Sequence, residues 1–177
     1  MSEGASERDN LSPFLTPPFK QVAVVVEDLD EAVRRWAGLL GIGPWTAYRL
    51  EPPRLKEMRY RGEEAEFSLR HALAWQGELQ FELVQPLAGP SIFSDHLVEH
   101  GEGMHHVGKY VVDHPGAVHE ALRAGFVPLQ SARGFGAEGD GAFAYFQAPG
   151  VPMIIELISA PKVRIEPEFV YYPPAVG

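Results

Sequence analysis

The sequence contains no cysteine. Disulfides and thiolate metal sites are therefore excluded, and sulfur says nothing about redox compartment. There is no run of about 18 apolar residues, so no membrane-spanning helix is expected. Positive charge is scarce: 15 Lys and Arg stand against 24 Asp and Glu, a net charge of −9. Nucleic acid and anionic membrane surfaces both demand a basic footprint, so neither is expected as a partner. Residues 1–10 are polar and acidic and lack the basic-then-apolar pattern of a secretory signal. Cytoplasm is the default location.

What remains is ordinary globular material, with 45% hydrophobic and 22% charged residues in a chain of 177. That length suits one compact domain or two small fused modules. Residues 1–17 are rich in Ser, Glu and Pro and read as a poorly ordered arm. Residues 19–27 form a β-branched run, which predicts a strand. Asp28, with Glu31 three positions on, then caps a helix whose apolar face is Leu29, Ala32, Val33, Trp36, Leu39 and Leu40, and Gly41 ends it. A strand over 44–50 is broken by Glu51-Pro52-Pro53, and residues 64–75 and 78–84 make a hairpin about Gln76-Gly77. A link follows, with a short helix over 91–100 stopped by Gly101. The second half predicts a strand over 106–112 and a helix opened by Asp113 and Pro115. A strand over 126–130, a glycine-rich loop over 131–141 and a hairpin of 142–147 with 152–159 complete it. The tail, with Tyr171 and Tyr172, is expected to wrap the surface or a partner.

The order strand, helix, strand, strand, strand thus occurs twice. The residues repeat with it: Gln21-Val22-Ala23 aligns with His106-Val107-Gly108, Asp28 with Asp113, and Phe81-Glu82-Leu83-Val84 with Ile155-Glu156-Leu157-Ile158. Successive side chains on a strand point to opposite faces, so matched positions face alike. Gln21 and His106 become equivalent, as do Glu82 and Glu156. Both glutamates sit in otherwise apolar strands, where a lone carboxylate is costly unless a counter-charge or a metal meets it. Gln21, Glu82, His106 and Glu156 are therefore the candidate metal ligands. Two carboxylates, one imidazole and one amide oxygen neutralise a divalent ion and suit Zn, Mn, Co, Ni, Fe or Mg, one per chain. His105 must then face away from His106, in a supporting or packing role. Counting outward from the Gln76-Gly77 turn puts His71 opposite Glu82, as a candidate second base or hydrogen-bond partner of a ligand. Tyr145 takes a similar place in the second hairpin.

At this point the residues resemble a family. The stretches QVAVVVEDLDEAVRRWAGLLGIGPW, FELVQPL, GEGMHHVGKYVVD and APGVPMIIEL make residues 19–160 similar to the vicinal oxygen chelate superfamily, which includes glyoxalases, bleomycin-resistance proteins and dioxygenases. Within it, the HGEGMHH segment looks most like methylmalonyl-CoA epimerase. The resemblance implies an α+β fold in which two βαβββ modules form a curved eight-stranded sheet cupping a metal. The expected organisation is an arm (1–17), a first module (18–87), a linker (88–103), a second module (104–160) and a tail (161–177). The epimerase pattern places its four ligands on the same Gln21, Glu82, His106 and Glu156, but usually has His first and Gln second. Gln, Glu, His, Glu is instead the order of glyoxalase I of the zinc-using human type. In that enzyme the last-strand glutamate doubles as a base, which maps to Glu156.

The implied activity is that of a metal-dependent isomerase, epimerase or lyase that moves a proton α to a carbonyl through an enediolate, with Glu156 and His71 as catalytic groups. Two alternatives stand beside it: a non-catalytic binder of small molecules of the bleomycin-resistance type, and an extradiol-type dioxygenase. The dioxygenase needs two histidines and a carboxylate on iron, and Gln21 stands where the first histidine belongs. Trp45, Phe67, Trp75, Phe93, Phe135, Phe143 and Tyr145 are candidates to line an apolar pocket. The cluster Arg49, Arg54, Lys56, Arg59, Arg61 reads either as a solvated edge or as a rim for the anionic tail of a small carbonyl substrate. Arg133 to Gly136 is either a lid or an ordinary loop, and a homodimer is left open.

Overall fold

In the computed structural model, which describes residues 17–175, the chain begins β1 (Gln21–Val25), α1 (Leu29–Leu40), β2 (Trp45–Leu50), β3 (Lys56–Tyr60), β4 (Glu63–Glu64), β5 (Ser68–Gln76) and β6 (Leu79–Ala88). It continues α2 (Ile92–His100), β7 (Gly103–Tyr110), α3 (His114–Arg123), β8 (Val127–Phe135), β9 (Gly141–Gln147), β10 (Ile154–Ser159) and β11 (Phe169–Tyr171). The expected N-terminal arm lies outside the described residues, apart from residue 17. The helices start where their capping residues stand. The Asp28 carboxylate accepts from the Glu31 amide at 2.9 Å, Asp113 accepts from Gly116 at 3.0 Å, and Ser91 and Ser94 form a reciprocal capping box on α2. Gly41 closes α1 in the left-handed region at φ 65°, where a side chain would be strained.

All strands join one curved mixed sheet in the order β11-β2-β5-β6-β1-β7-β10-β9-β8-β3-β4. β1 and β7 run antiparallel at its centre, and each is flanked by the last long strand of its own half in parallel, β6 for β1 and β10 for β7. The eight expected strands are there as β2-β5-β6-β1 and β7-β10-β9-β8, but the sheet has eleven. β3 and β4 come from the basic stretch after β2, and β11 from the tail. In β3 only Met58 is buried, so no apolar alternation marks it. β8 runs on to Phe135, through residues expected to form a loop, because β3 pairs along its outer side. β11 covers the opposite edge. Both additions cap edges that would otherwise offer unpaired backbone.

The short connection from β2 to β3 forces the curvature. Eight strand spacings separate these strands in the sheet order, about 38 Å if the sheet were flat. The connecting residues 51–55 reach only about 20 Å when extended. The two ends of the sheet must therefore curl towards each other. The outer face carries α1, with Leu29, Ala32, Val33 and Ala37 on Trp45, Ala47, Ala72 and Leu83, and α3, with Ala117 and Ala121 on Ala144, Phe146 and Leu157. The inner face is filled by Val25, Leu50, Leu69 and Val84 from one half, Ala132, Phe143 and Tyr145 from the other, and Ile92 and Phe93 of α2 between them. Phe93 is fully buried there. Its replacement by Ala is expected to cost about 3–5 kcal/mol in urea unfolding and to speed amide exchange in α2 ahead of the rest of the chain.

Candidate metal centre

Strand register decides which side chains meet on the inner face. Ala23 stands opposite Glu82 on one side and His106 on the other. Gly108 stands opposite Gln21 on one side and Glu156 on the other. The two central strands thus offer small residues where their neighbours offer long polar ones. A Cβ at Gly108 would come within 2.4 Å of Gln21 Oε1, so glycine there keeps room for that oxygen.

Into this space come Glu82, His106 and Glu156, whose ligand-type atoms all lie within 4.8 Å of one another. His106 Nε2 is 3.3 Å from Glu82 Oε2 and 3.2 Å from Glu156 Oε2. Gln21, Glu82, His106 and Glu156 are exposed by only 3, 5, 2 and 4%. Their atoms Gln21 Oε1, Glu82 Oε2, His106 Nε2 and Glu156 Oε2 are buried with no well-aligned hydrogen bond. Three of these atoms lie together and the fourth, Gln21 Oε1, lies in the space beside Gly108. Unpartnered buried lone pairs of this kind are what a divalent cation with oxygen-rich ligation would satisfy, so the residues present fit such an ion.

Each ligand candidate is held from behind. His71 Nδ1 donates to Glu82 Oε1 at 2.6 Å, which leaves Oε2 facing His106. The register differs from the expected one: Leu73 is directly opposite Glu82 and His71 is opposite Val84, because the hairpin turns at Gly77-Glu78. The shift is two residues, so His71 keeps its face and reaches Glu82 diagonally. Tyr145 is directly opposite Glu156 and hydrogen-bonds it, and its ring lies 4.9 Å from that of His106.

His105 does not face away. Ala23 pairs with His106 and Val24 with Met104, so His105 is the extra residue of a β-bulge. A bulge re-aims its side chain, and His105 is buried beside His106 with their Nδ1 atoms 2.9 Å apart. His105 Nε2 lies 3.3 Å from the Ile92 carbonyl oxygen, which can only accept, so Nε2 carries the proton. Burial, with the charges of His106 and His96 nearby, holds His105 neutral by pushing its pKa down to about 3. Its Nδ1 is then an acceptor, His106 Nδ1 donates to it, and the His106 Nε2 lone pair is directed at the carboxylates.

Without an ion, charge is balanced by protons. Burial alone would lower His106, but the Glu156 and Glu82 carboxylates outweigh it and raise the imidazole from 6.5 to about 9. Burial alone would raise Glu82, but His106 and His71 hold it well below the usual carboxylate range. Burial raises Glu156, and the nearby His106 imidazole offsets this only in part. Burial and both carboxylates push the Tyr145 phenol well up.

The aromatic candidates separate. Phe67, Phe93, Phe135, Phe143 and Tyr145 are in the inner core, with the Phe93 ring 6.2 Å from His106 and 5.5 Å from Tyr145. Trp75 is on the inner face at the rim, 49% exposed and stacked on Tyr110. Trp45 is not a pocket residue: its position in β2 turns it outward beneath α1, edge-on to Trp36. The basic cluster is largely engaged in ion pairs, Arg49 with Glu168 and Glu51, Arg59 with Glu64, and Arg61 with Asp95. Gly136, in the candidate lid, packs against Pro161, and Arg54 donates to its carbonyl at 3.1 Å. A cavity of about 1000 Å³ has Tyr145, Phe143 and Gln130 in its lining but none of the four ligand candidates. Sequence reading overlooked Gln80 and Tyr110. Gln80 lies two residues before Glu82, on the same face, and parity alone would have flagged it.

The model of the Glyoxalase/Bleomycin resistance protein/Dioxygenase superfamily matches residues 20–146. No curated protein matches the chain. Among solved structures, a methylmalonyl-CoA epimerase from Mycobacterium tuberculosis is 22% identical with a TM-score of 0.58, over 81% of this chain and 89% of that one. A variant epimerase from Streptomyces coelicolor, in complex with 2-nitronate-propionyl-CoA, is 17% identical with a TM-score of 0.58, over 81% and 97% of the two chains. A hypothetical protein from Bacillus halodurans is 19% identical with a TM-score of 0.55, over 85% and 99%. At such identities the likeness is one of fold.

Two outcomes are expected of this geometry. His106 is raised in the folded, metal-stripped protein, so its stabilisation is fully present below pH 6.5 and disappears as pH rises through about 9. Urea unfolding with chelator present is expected to show stability falling across that window, while metal uptake, which displaces the Nε2 proton, tightens across it. Gly108→Ala, by displacing Gln21 Oε1, is expected to weaken Zn²⁺ binding about tenfold or more in a chelator competition.

Proposed function

This chain belongs to the Glyoxalase/Bleomycin resistance protein/Dioxygenase superfamily, and on that premise we propose that it is a divalent-metal-dependent isomerase, epimerase or lyase acting next to a carbonyl. The observation that carries this reading is the buried cluster of Glu82, His106 and Glu156 on the inner face, with the unpartnered Gln21 oxygen in the next strand. Gln21, Glu82, His106 and Glu156 would hold the ion. Once bound, it supplies Lewis-acid polarisation of the substrate carbonyl and charge to balance the enolate.

The chain's own residues do the rest. Glu156 takes the α-proton at its carboxylate. Burial already raises its proton affinity, which suits a base working near neutral pH. The Tyr145 hydroxyl orients that carboxylate. On the other side of His106, His71 is bound to Glu82 and is the second proton-handling group. Phe93 and the Tyr145 ring wall the site and keep water from it. An anionic tail on the carbonyl compound would meet Arg54 and Lys56 in a second cavity of about 600 Å³, which Glu51 and Glu138 also line. CoA thioesters head the substrate panel because methylmalonyl-CoA epimerases are among the solved structures of similar fold. Glutathione hemithioacetals come second, on the ligand order. A single histidine among the ligand candidates disfavours the extradiol reading.

Gently purified protein is expected to carry or take up about one equivalent of a transition metal by elemental analysis. Less than about a tenth, with no uptake on addition, would favour the metal-free binder instead. With a substrate from the panel in D₂O, Glu156→Gln is expected to slow α-proton exchange by about 100-fold or more with the circular dichroism unchanged. Retained exchange would remove Glu156 from the mechanism.

A further inference from the structure

We propose that Gln80 is a positioning residue that turns the Gln21 amide so that its oxygen, and not its nitrogen, faces the cation. This rests on the reading that Gln21 is one of four groups holding a divalent ion. An amide has one end that accepts and one that donates, and only the oxygen can ligate such an ion; an NH₂ group turned towards it repels. Rotating the terminal torsion exchanges the two ends at little intrinsic cost. Something outside the side chain must therefore choose between them.

Gln80 makes that choice. It is directly opposite Gln21 in the parallel pair β1–β6, on the same face, and is 0% exposed. Gln21 Nε2 donates to Gln80 Oε1 at 3.0 Å. The Tyr110 hydroxyl donates to the same oxygen at 2.6 Å, and the Tyr110 ring is stacked on Trp75 at the rim. Both contacts fall on the Gln80 oxygen, so this amide presents an acceptor towards β1, while its own Nε2 is buried without a hydrogen-bond partner. Gln21 has to answer with its NH₂, which leaves Gln21 Oε1 pointing away, into the space kept open by Gly108, where it has no partner. In the second half, the place of Gln80 is taken by Ile154, opposite His106. There the ligand candidate is oriented by His105 and the Ile92 carbonyl instead. Each half thus sets its first-strand ligand by a different device.

The test is metal binding by the full chain, read by Zn²⁺ competition with a chromophoric chelator and by the visible spectrum of the Co²⁺ form. Gln80→Leu is expected to weaken Zn²⁺ binding about 10–100-fold and to change the Co²⁺ spectrum, with circular dichroism unchanged. Tyr110→Phe is expected to act in the same direction by less. Gln80→Glu keeps an acceptor towards β1 and is expected to bind at least as tightly as wild type; this variant decides the matter if Gln80→Leu fails to fold. In a Gln21→Glu background either end of residue 21 is an oxygen, so Gln80→Leu is expected to cost little. Wild-type affinity in Gln80→Leu, weaker binding in Gln80→Glu, or an equal loss in both backgrounds would overturn the proposal while metal binding by the wild type stands. If the wild type binds no ion, the metal reading fails first and this inference falls with it.

Discussion

Two carboxylates and an imidazole share a dry space on the inner face, and the rest of the inner face is arranged around that crowding. Glu82 and Glu156 come from equivalent strands and approach the same nitrogen of His106 from either side. Two buried negative charges a few ångströms apart are tolerated only with positive charge between them. In the bare protein an imidazolium supplies it, which is why His106 holds its proton to about pH 9. A divalent ion held by the same residues would take the place of that proton, because the His106 Nε2 lone pair, once freed, faces the carboxylates.

The surroundings serve this arrangement at short range. Ala23 and Gly108 leave the space, His105 sets the His106 tautomer, His71 and Tyr145 each hold one carboxylate, and Gln80 holds Gln21. Longer-range features close the space to water. The short β2–β3 connection curls the sheet, and α2 drops Phe93 onto the His106 ring. The tail strand β11 is tied to β2, where Glu168 accepts from Arg49 and Arg70 at 3.0 and 2.7 Å. These two arginines thus work as a fastening for the tail at the edge of the sheet.

Much of the centre was legible because strand parity is a local rule. Gln21, Glu82, His106 and Glu156 were matched by the internal repeat, and a shared position in equivalent strands is enough to bring side chains to one face. His71 survived a wrong hairpin register for the same reason, since an error of two residues keeps the face. Trp45 was misjudged because its strand is buried on both sides: Trp45 and Ala47 face α1, Tyr48 and Leu50 face the inner core, and composition does not distinguish them. β3 was overlooked because only Met58 in it is buried. His105 was sent to the wrong side because parity assumes an unbroken ladder, and a bulge breaks it.

The sequence by itself determined the capped helices, the doubled order of elements and the four polar positions that share a face. Each follows from spacing within a few residues: a cap three positions from its partner, a period of two in a strand, a recurrence of the same pattern. Only the tertiary structure decided which atoms of those residues meet. The His105 bulge depends on how β7 pairs with β1, the orientation of Gln21 on Gln80 and Tyr110 from two other strands, and the closing of the site on a helix and a connection that cross from one half to the other. Those are contacts between residues far apart in the chain, and no local spacing encodes them.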